Sequence, residues 1–221
     1  CVETIAADGV DVSAVSFSSA TPTGFVAIEL NEGLHRTLVY APGANDELSW
    51  AHVEPTLGDV ARGDVVIAQA EVPRATLAAV ANHCSAIGAQ FYLDPAPPED
   101  VDPAVLRLAD LVTPSRSEAA ALVGRTDTSE IWPTIAAEEL HRTGARTVVV
   151  KTGATGAVVV DGWGTRQVPT IVIEPANETG AGDVFMAALA VRRSEGAGWD
   201  DAVRFANAAS ALSVAHESLL L

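Results

Sequence analysis

The chain has 221 residues, 48% of them hydrophobic, which suffices for one sizeable α/β core and argues against disorder. Thirteen Lys and Arg stand against 29 Asp and Glu, a formal charge of -16 with no basic cluster; this argues against nucleic acid as a partner and leaves any anionic ligand to local donors. Cys1 and Cys84 make neither a disulfide framework nor a metal-ligand spacing, and neither a membrane-spanning apolar run nor a signal-like segment is found, so a cytoplasmic, non-membrane protein is expected.

"CVETIAADGVDVS" (1–13) reads as the end of a helix and its turn, and the chain opens at Cys1 rather than Met, so the natural N-terminus is expected upstream. "TGFVAIEL" (23–30) and "LHRTLVYA" (34–41), separated by "NEG", predict a hairpin. "DVVIAQ" (64–69) predicts a short buried strand. A helix from Pro73 to Ile87, a stop at Gly88 and a second apolar run, "AQFYL" (89–93), complete a βαβ unit. Within that helix the series Leu77, Val80, Ala81, Cys84, Ile87 predicts a core thiol at Cys84. Further strands are expected at 110–113, 146–151 and 156–160, and helices at 115–123, 133–143, 183–195 and 199–215. The alternation predicts a mostly parallel sheet with helices on both faces, so ligands belong at the carboxyl ends of the strands.

Polar residues collect at those ends. Glu71 follows the first buried strand, Asp94 the second, and Ser115 and Glu118 the third. Asp94 and Glu118 read equally as helix caps and as site carboxylates, whereas Glu71 favours a site. "KTGATG" (151–156) reads equally as a phosphate turn and as a plain hairpin. "NETGAGDVFMAALAVRR" (177–193) is more specific. Val184, Phe185, Met186, Leu189 and Val191 predict an apolar helical face, Arg192 and Arg193 suit its C-terminal end, and Gly196 would stop it. Gly180, Ala181, Gly182 and Asp183 then form the first turn, where unpaired N–H groups and small residues make an anion site with a carboxylate inside it.

These residues carry a resemblance. "ETGAGD" and its small apolar helix resemble the C-terminal signature of the ribokinase and phosphofructokinase-B family of carbohydrate kinases. "APGANDEL" (41–48), "QAEVP" (69–73), "LDPAPP" (93–98), "VTPSRSEAAALVG" (112–124), "VVKTGATGAVV" (149–159) and "DAVRFANAASALSV" (201–214) are similar to other family segments in the same order. The resemblance implies a ribokinase-like three-layer α/β sandwich over residues 1–221, closest to ribokinase type, with an N-terminally incomplete fold and with 23–41 as part of a β lid or dimer clasp.

It also implies chemistry. ATP-dependent phosphorylation of a primary hydroxyl on a pentose-like sugar would use Asp183 as general base and Gly180, Ala181 and Gly182 as the anion hole. Glu71 would hold sugar hydroxyls. Ser115, Lys151, Thr152, Gly153, Ala154, Thr155, Gly156, Gly182 and Asn207 would line the nucleotide, and Glu118 would orient Mg²⁺ through water. Asn177, Thr179 and Ser213 correspond to a monovalent-cation site for K⁺. There the family usually offers Asp-Thr where Asn177 and Glu178 stand, and the tail "AHESLLL" lacks its usual loop. Ser115 replaces an Asn of the family pattern, and the family's Gly-Gly-rich substrate segment has no counterpart. Other acceptors (fructose, a phosphosugar, a ketodeoxy acid or a nucleoside) and a non-catalytic nucleotide- or sugar-binding regulator are the alternatives. Expected partners are the sugar, ATP and a second copy of the chain through the lid strands.

Overall fold

Each β-rich run becomes a strand and each helical period a helix over the residues that the computed structural model describes, 2–30, 36–125 and 132–215. In chain order these form α1 (Val2–Ala7), β1 (Thr23–Leu30), β2 (Arg36–Gly43), α2 (Trp50–Leu57), β3 (Val65–Gln69) and α3 (Arg74–Ile87). There follow β4 (Gln90–Asp94), α4 (Pro103–Leu108), β5 (Leu111–Val112), α5 (Arg116–Leu122), α6 (Trp132–Arg142) and β6 (Val148–Lys151). The C-terminal part holds β7 (Ala157–Asp161), β8 (Gly164–Val168), α7 (Ala181–Ser194) and α8 (Trp199–Val214). The "NEG" turn and the tail beyond Ala215 lie outside the described residues.

Strands β1 and β2 pair antiparallel as a separate two-stranded sheet, Ala27 opposite Val39. The main sheet has the order β3-β4-β5-β6-β7-β8, parallel from β3 to β6 and antiparallel from β6 to β8. Because the parallel strands follow one another in space as in sequence, right-handed crossovers place their helices on one face. Side-chain alternation then separates two cores. Phe91, Leu93, Val112, Val148, Val150, Val158 and Val160 pack with residues of α3, α4, α5 and α6. Tyr92, Leu111, Val149, Ala157 and Val159 face the other way and pack on Phe185, Leu189, Val203 and Ala206 of α7 and α8. The result is the three-layer sandwich expected from the sequence. Cys84 lies fully buried in the first core, and burial pushes its thiol up.

Three elements escaped the pattern reading. β8, "GTRQV", buries only Val168 and owes its extended form to pairing with β7. α2 contains Pro55 in its interior. α4 is six residues long, started by Asp102, whose Oδ1 accepts the Ala104 N–H at 2.6 Å, with Pro103 in the first turn. One expected core residue is also displaced. α7 buries Phe185, Met186, Leu189 and Ala190, while Val191 is 55% exposed. At 3.6 residues per turn Val191 lies about 200° round the helix from Leu189, too far to share its face. Leu189→Ala should therefore destabilise the protein by about 2–5 kcal/mol in chemical denaturation, and Val191→Ala should change it by no more than about 0.5 kcal/mol. Equal losses would contradict the placement.

Candidate functional site at the carboxyl edge of the sheet

Parallel pairing carries the ends of β3, β4, β5 and β6 to one edge. Gln69 and Asp94 stand opposite one another at the ends of β3 and β4. Thr113 follows β5, and Lys151 ends β6 with its N–H on the Pro114 carbonyl at 2.8 Å. Two antiparallel steps restore the original direction in β8, so Val168 reaches the same edge and residues 169–180 deliver the start of α7 there.

Gly180 is the N-cap of α7, with φ +78° in the left-handed region. Asp183, in the first turn, accepts a hydrogen bond from Gln69 Nε2 at 2.7 Å on Oδ1. This contact joins residues 114 positions apart, and in the sequence Gln69 stands out only as the end of the strand "DVVIAQ" and the start of the family-like "QAEVP". Gly182 is the point of closest approach. A Cβ there would lie 3.2 Å from Lys151 Nζ and 3.8 Å from Asp94 Oδ2. The glycine turn, the ammonium and the carboxylate thus share one small volume.

Asp94 is 4% exposed, and its Oδ2 accepts a charged hydrogen bond from Lys151 Nζ at 2.7 Å. Its Oδ1 has no partner among the described residues. Burial pushes the Asp94 carboxyl up, the Lys151 ammonium opposes this, and Glu118 and Asp183 add to it. Of the two readings of Asp94, the cap fails, because Asp94 starts no helix. For Glu118 the cap is realised: Glu118 Oε2 accepts the Ser115 N–H at 2.7 Å, and Ser115 Oγ accepts the Glu118 N–H at 3.3 Å. Among the described residues no cluster of three or more His, Cys, Asp or Glu could grip a metal directly. Glu118 thus has one carboxylate oxygen committed to the cap.

Glu71, half-buried after β3, has its carboxyl pushed up by burial and then by the negative charges of Asp183 and Asp94. The Tyr40 hydroxyl from β2 donates to the Glu71 carbonyl at 3.5 Å, which brings the hairpin to the site. Residues 151–156 connect antiparallel strands, so the hairpin form is realised. Thr152 N–H donates to the Gly156 carbonyl at 2.8 Å, and Gly153, Ala154 and Thr155 are exposed at its tip. Asn207 is buried, and its Nδ2 is committed to the Val168 and Pro169 carbonyls at 3.1 and 3.2 Å. Its amide therefore fastens the end of β8. Asn177 Oδ1 accepts the Thr179 N–H at 3.0 Å, and the Ala176 and Asn177 N–H groups donate to the Val214 carbonyl, next to Ser213, at 2.8 and 3.2 Å. The three residues expected around a monovalent cation are thus drawn towards the last turn of α8, where Ser213 Oγ donates to the Ser210 carbonyl at 2.8 Å.

A mostly parallel α/β sheet with a glycine helix start and gathered carboxylates at its carboxyl edge defines a class of proteins that bind small anionic ligands there. The pfkB family carbohydrate kinase model matches residues 2–220, and the chain belongs to that family. It is 30% identical over 209 residues to the ribokinase of Haemophilus influenzae, covering 95% of this chain and 68% of that protein. The crystal structure of Thermotoga maritima ribokinase superposes with a TM-score of 0.76 at 31% identity, covering 89% of this chain and 64% of that one. Arabidopsis thaliana ribokinase complexed with ribose and ATP gives a TM-score of 0.75 at 26% identity, over 90% of this chain and 65% of that one. The chain thus spans about two thirds of the relatives it matches. No helix among the described residues is long and apolar enough to cross a membrane.

The crowding of carboxylates has a thermodynamic consequence. The folded protein binds the Glu71 proton more tightly than the unfolded chain does, so ionising Glu71 costs stability; the cost is absent below the ordinary value of 4.5 and grows as pH rises through the raised folded-state value. Glu71→Gln should raise the melting temperature at pH 7 and lose that advantage below pH 4.5. Melting curves across pH 4 to 8 check this, and an advantage independent of pH would contradict it.

Proposed function

We propose that this protein transfers the γ-phosphoryl group of ATP to a primary hydroxyl of a pentose-like sugar. The observation that carries the reading is Asp183: a carboxylate in the first turn of α7, held by Gln69 Nε2 at 2.7 Å, one residue after a glycine whose missing Cβ leaves the helix start close to the Lys151 ammonium. Membership of the carbohydrate kinase family and likeness to a ribokinase complexed with ribose and ATP support the substrate class. The acceptor hydroxyl would sit between Glu71 and Asp183. As its oxygen bonds to the γ-phosphorus, the bond from that phosphorus to the ADP oxygen breaks and its electron pair leaves with ADP. The hydroxyl proton passes to Asp183. Gly180, Ala181 and Gly182 would offer N–H groups to the phosphoryl oxygens, a term that dominates this reaction class. Mg²⁺ neutralises phosphate charge when bound, and Glu118 would hold it through water. Residues 151–156 would border the nucleotide, and Asn177, Thr179 and Ser213 would frame a K⁺ site. Strands β1 and β2, tied to Glu71 through Tyr40, would act as a lid over the sugar and as a clasp between two copies.

Asp183→Asn keeps the size of the side chain and its capping ability while removing the base. With ATP, Mg²⁺ and a sugar panel, kcat should fall at least about 10²-fold while the melting temperature changes little. Wild-type turnover on every sugar would overturn the assignment. Glu71→Ala should raise the sugar KM more than it lowers kcat, since a residue that holds hydroxyls in ground and transition states alike contributes uniform binding. Steady-state kinetics with the preferred sugar checks this, and an unchanged KM would remove Glu71 from the sugar site.

A further inference from the structure

We infer that the Lys151 ammonium is the cation that contacts the transferring phosphoryl group, and that Asp94 is the positioning residue that holds it beside the glycine turn; the inference rests on the kinase reading above. Lys151 is the sole lysine of the chain, the other twelve basic residues being arginines. It is also placed unlike them. Arg74, Arg146, Arg166 and Arg192 form ion pairs with carboxylates elsewhere on the surface, whereas Lys151 Nζ lies at the carboxyl edge with its side chain 18% exposed. Of the carboxylates gathered at this edge, Asp94 forms an ion pair with the ammonium, while Asp183 and Glu118 act on Asp94 as further negative charges.

Nζ lies 3.2 Å from the point that a Cβ on Gly182 would occupy. The absence of that carbon leaves the ammonium and the helix N-terminus facing one space, where a phosphoryl oxygen could meet both. A second feature points to the same place. Asp94 is buried, spends one oxygen on Lys151 and leaves the other without a partner among the described residues, so the pair is not a saturated structural brace. An ammonium on a flexible stem can keep its bond to Asp94 and turn its remaining N–H groups to a phosphate. In a chain of charge -16 this supplies local positive potential at the phosphoryl group in transit, where charge develops only during transfer. During transfer the lysine makes and breaks no covalent bond. It donates hydrogen bonds to the equatorial oxygens of the phosphoryl group as it leaves the ADP oxygen for the sugar oxygen, and the hydroxyl proton still goes to Asp183.

The peptide that carries Lys151 makes the test direct. The wild-type chain is acetylated with an N-hydroxysuccinimide ester, and the rate at Nζ is read by mass spectrometry against the chain's α-amino group as internal reference. The comparison uses free protein, protein with a non-hydrolysable ATP analogue and Mg²⁺, and protein with adenosine. The analogue should slow Nζ acetylation at least tenfold and adenosine should leave it unchanged. If calorimetry shows the analogue bound while Nζ stays as reactive as before, or if adenosine protects equally, the Lys151 assignment is overturned and the kinase reading stands. If the analogue does not bind, both fall. Because removing one partner strands a buried carboxylate, Lys151→Met is judged by kcat per folded molecule. It should lose at least about 10²-fold with ATP KM changed less than about threefold, and Lys151→Arg should recover part of the loss. A folded Lys151→Met protein with wild-type kcat would reduce the pair to a brace.

Discussion

The parallel pairing of β3, β4, β5 and β6 is the constraint on which the rest depends. In an antiparallel sheet successive strand ends alternate between the two edges; here Gln69, Asp94, Thr113 and Lys151 are delivered to one edge. The crossover helices α3 to α6 must then lie on one face, and the opposite face is left for α7 and α8. The glycine start of α7 meets the strand ends because β7 and β8 reverse the chain twice before it. The same hairpin that turns at 151–156 therefore aims the helix that carries Asp183.

Charge is unevenly distributed over that frame. The chain is strongly acidic, and its candidate site is acidic as well: the negative charge of Asp183 raises the proton affinity of both Glu71 and Asp94, and Asp94 adds to that of Glu71. Such crowding opposes folding, and it persists where a site needs groups that a stable core would exclude. Lys151 offsets part of it through Asp94, at a depth where losing one partner of an ion pair typically costs about 3–5 kcal/mol. The stability of this edge thus depends on one ammonium.

Much of the architecture was legible along the chain. Strands rich in Val at 65–69 and 148–160, the helix over 74–87 and the turn at Gly180 declare themselves through local chemistry: β-branched alternation, helical spacing, and glycine before an acid. β8 and α4 were not legible. The first buries one side chain and exists through its partner strand, and the second is short enough that its cap, rather than any period, defines it. Val191 fell on the wrong side of its helix because five apolar positions in eight residues fit more than one face, and only packing against the sheet selects among them.

For the site itself, the sequence by itself determined that residues 180–183 form a glycine-rich helix start with a carboxylate in it, since capping and glycine conformation act locally. It also placed Glu71, Asp94, Glu118 and Lys151 at strand ends, because strand periodicity counts residues along one segment. Which of them meet was decided by tertiary structure alone. The sequence left cap and site readings open for Asp94 and Glu118; folding made Glu118 a cap and buried Asp94 against Lys151. Gln69 reaches Asp183 across 114 residues and Lys151 reaches Asp94 across 57, separations at which no local pattern carries information; the register of the parallel strands fixes the second contact, and the packing of α7 behind the β7–β8 hairpin fixes the first.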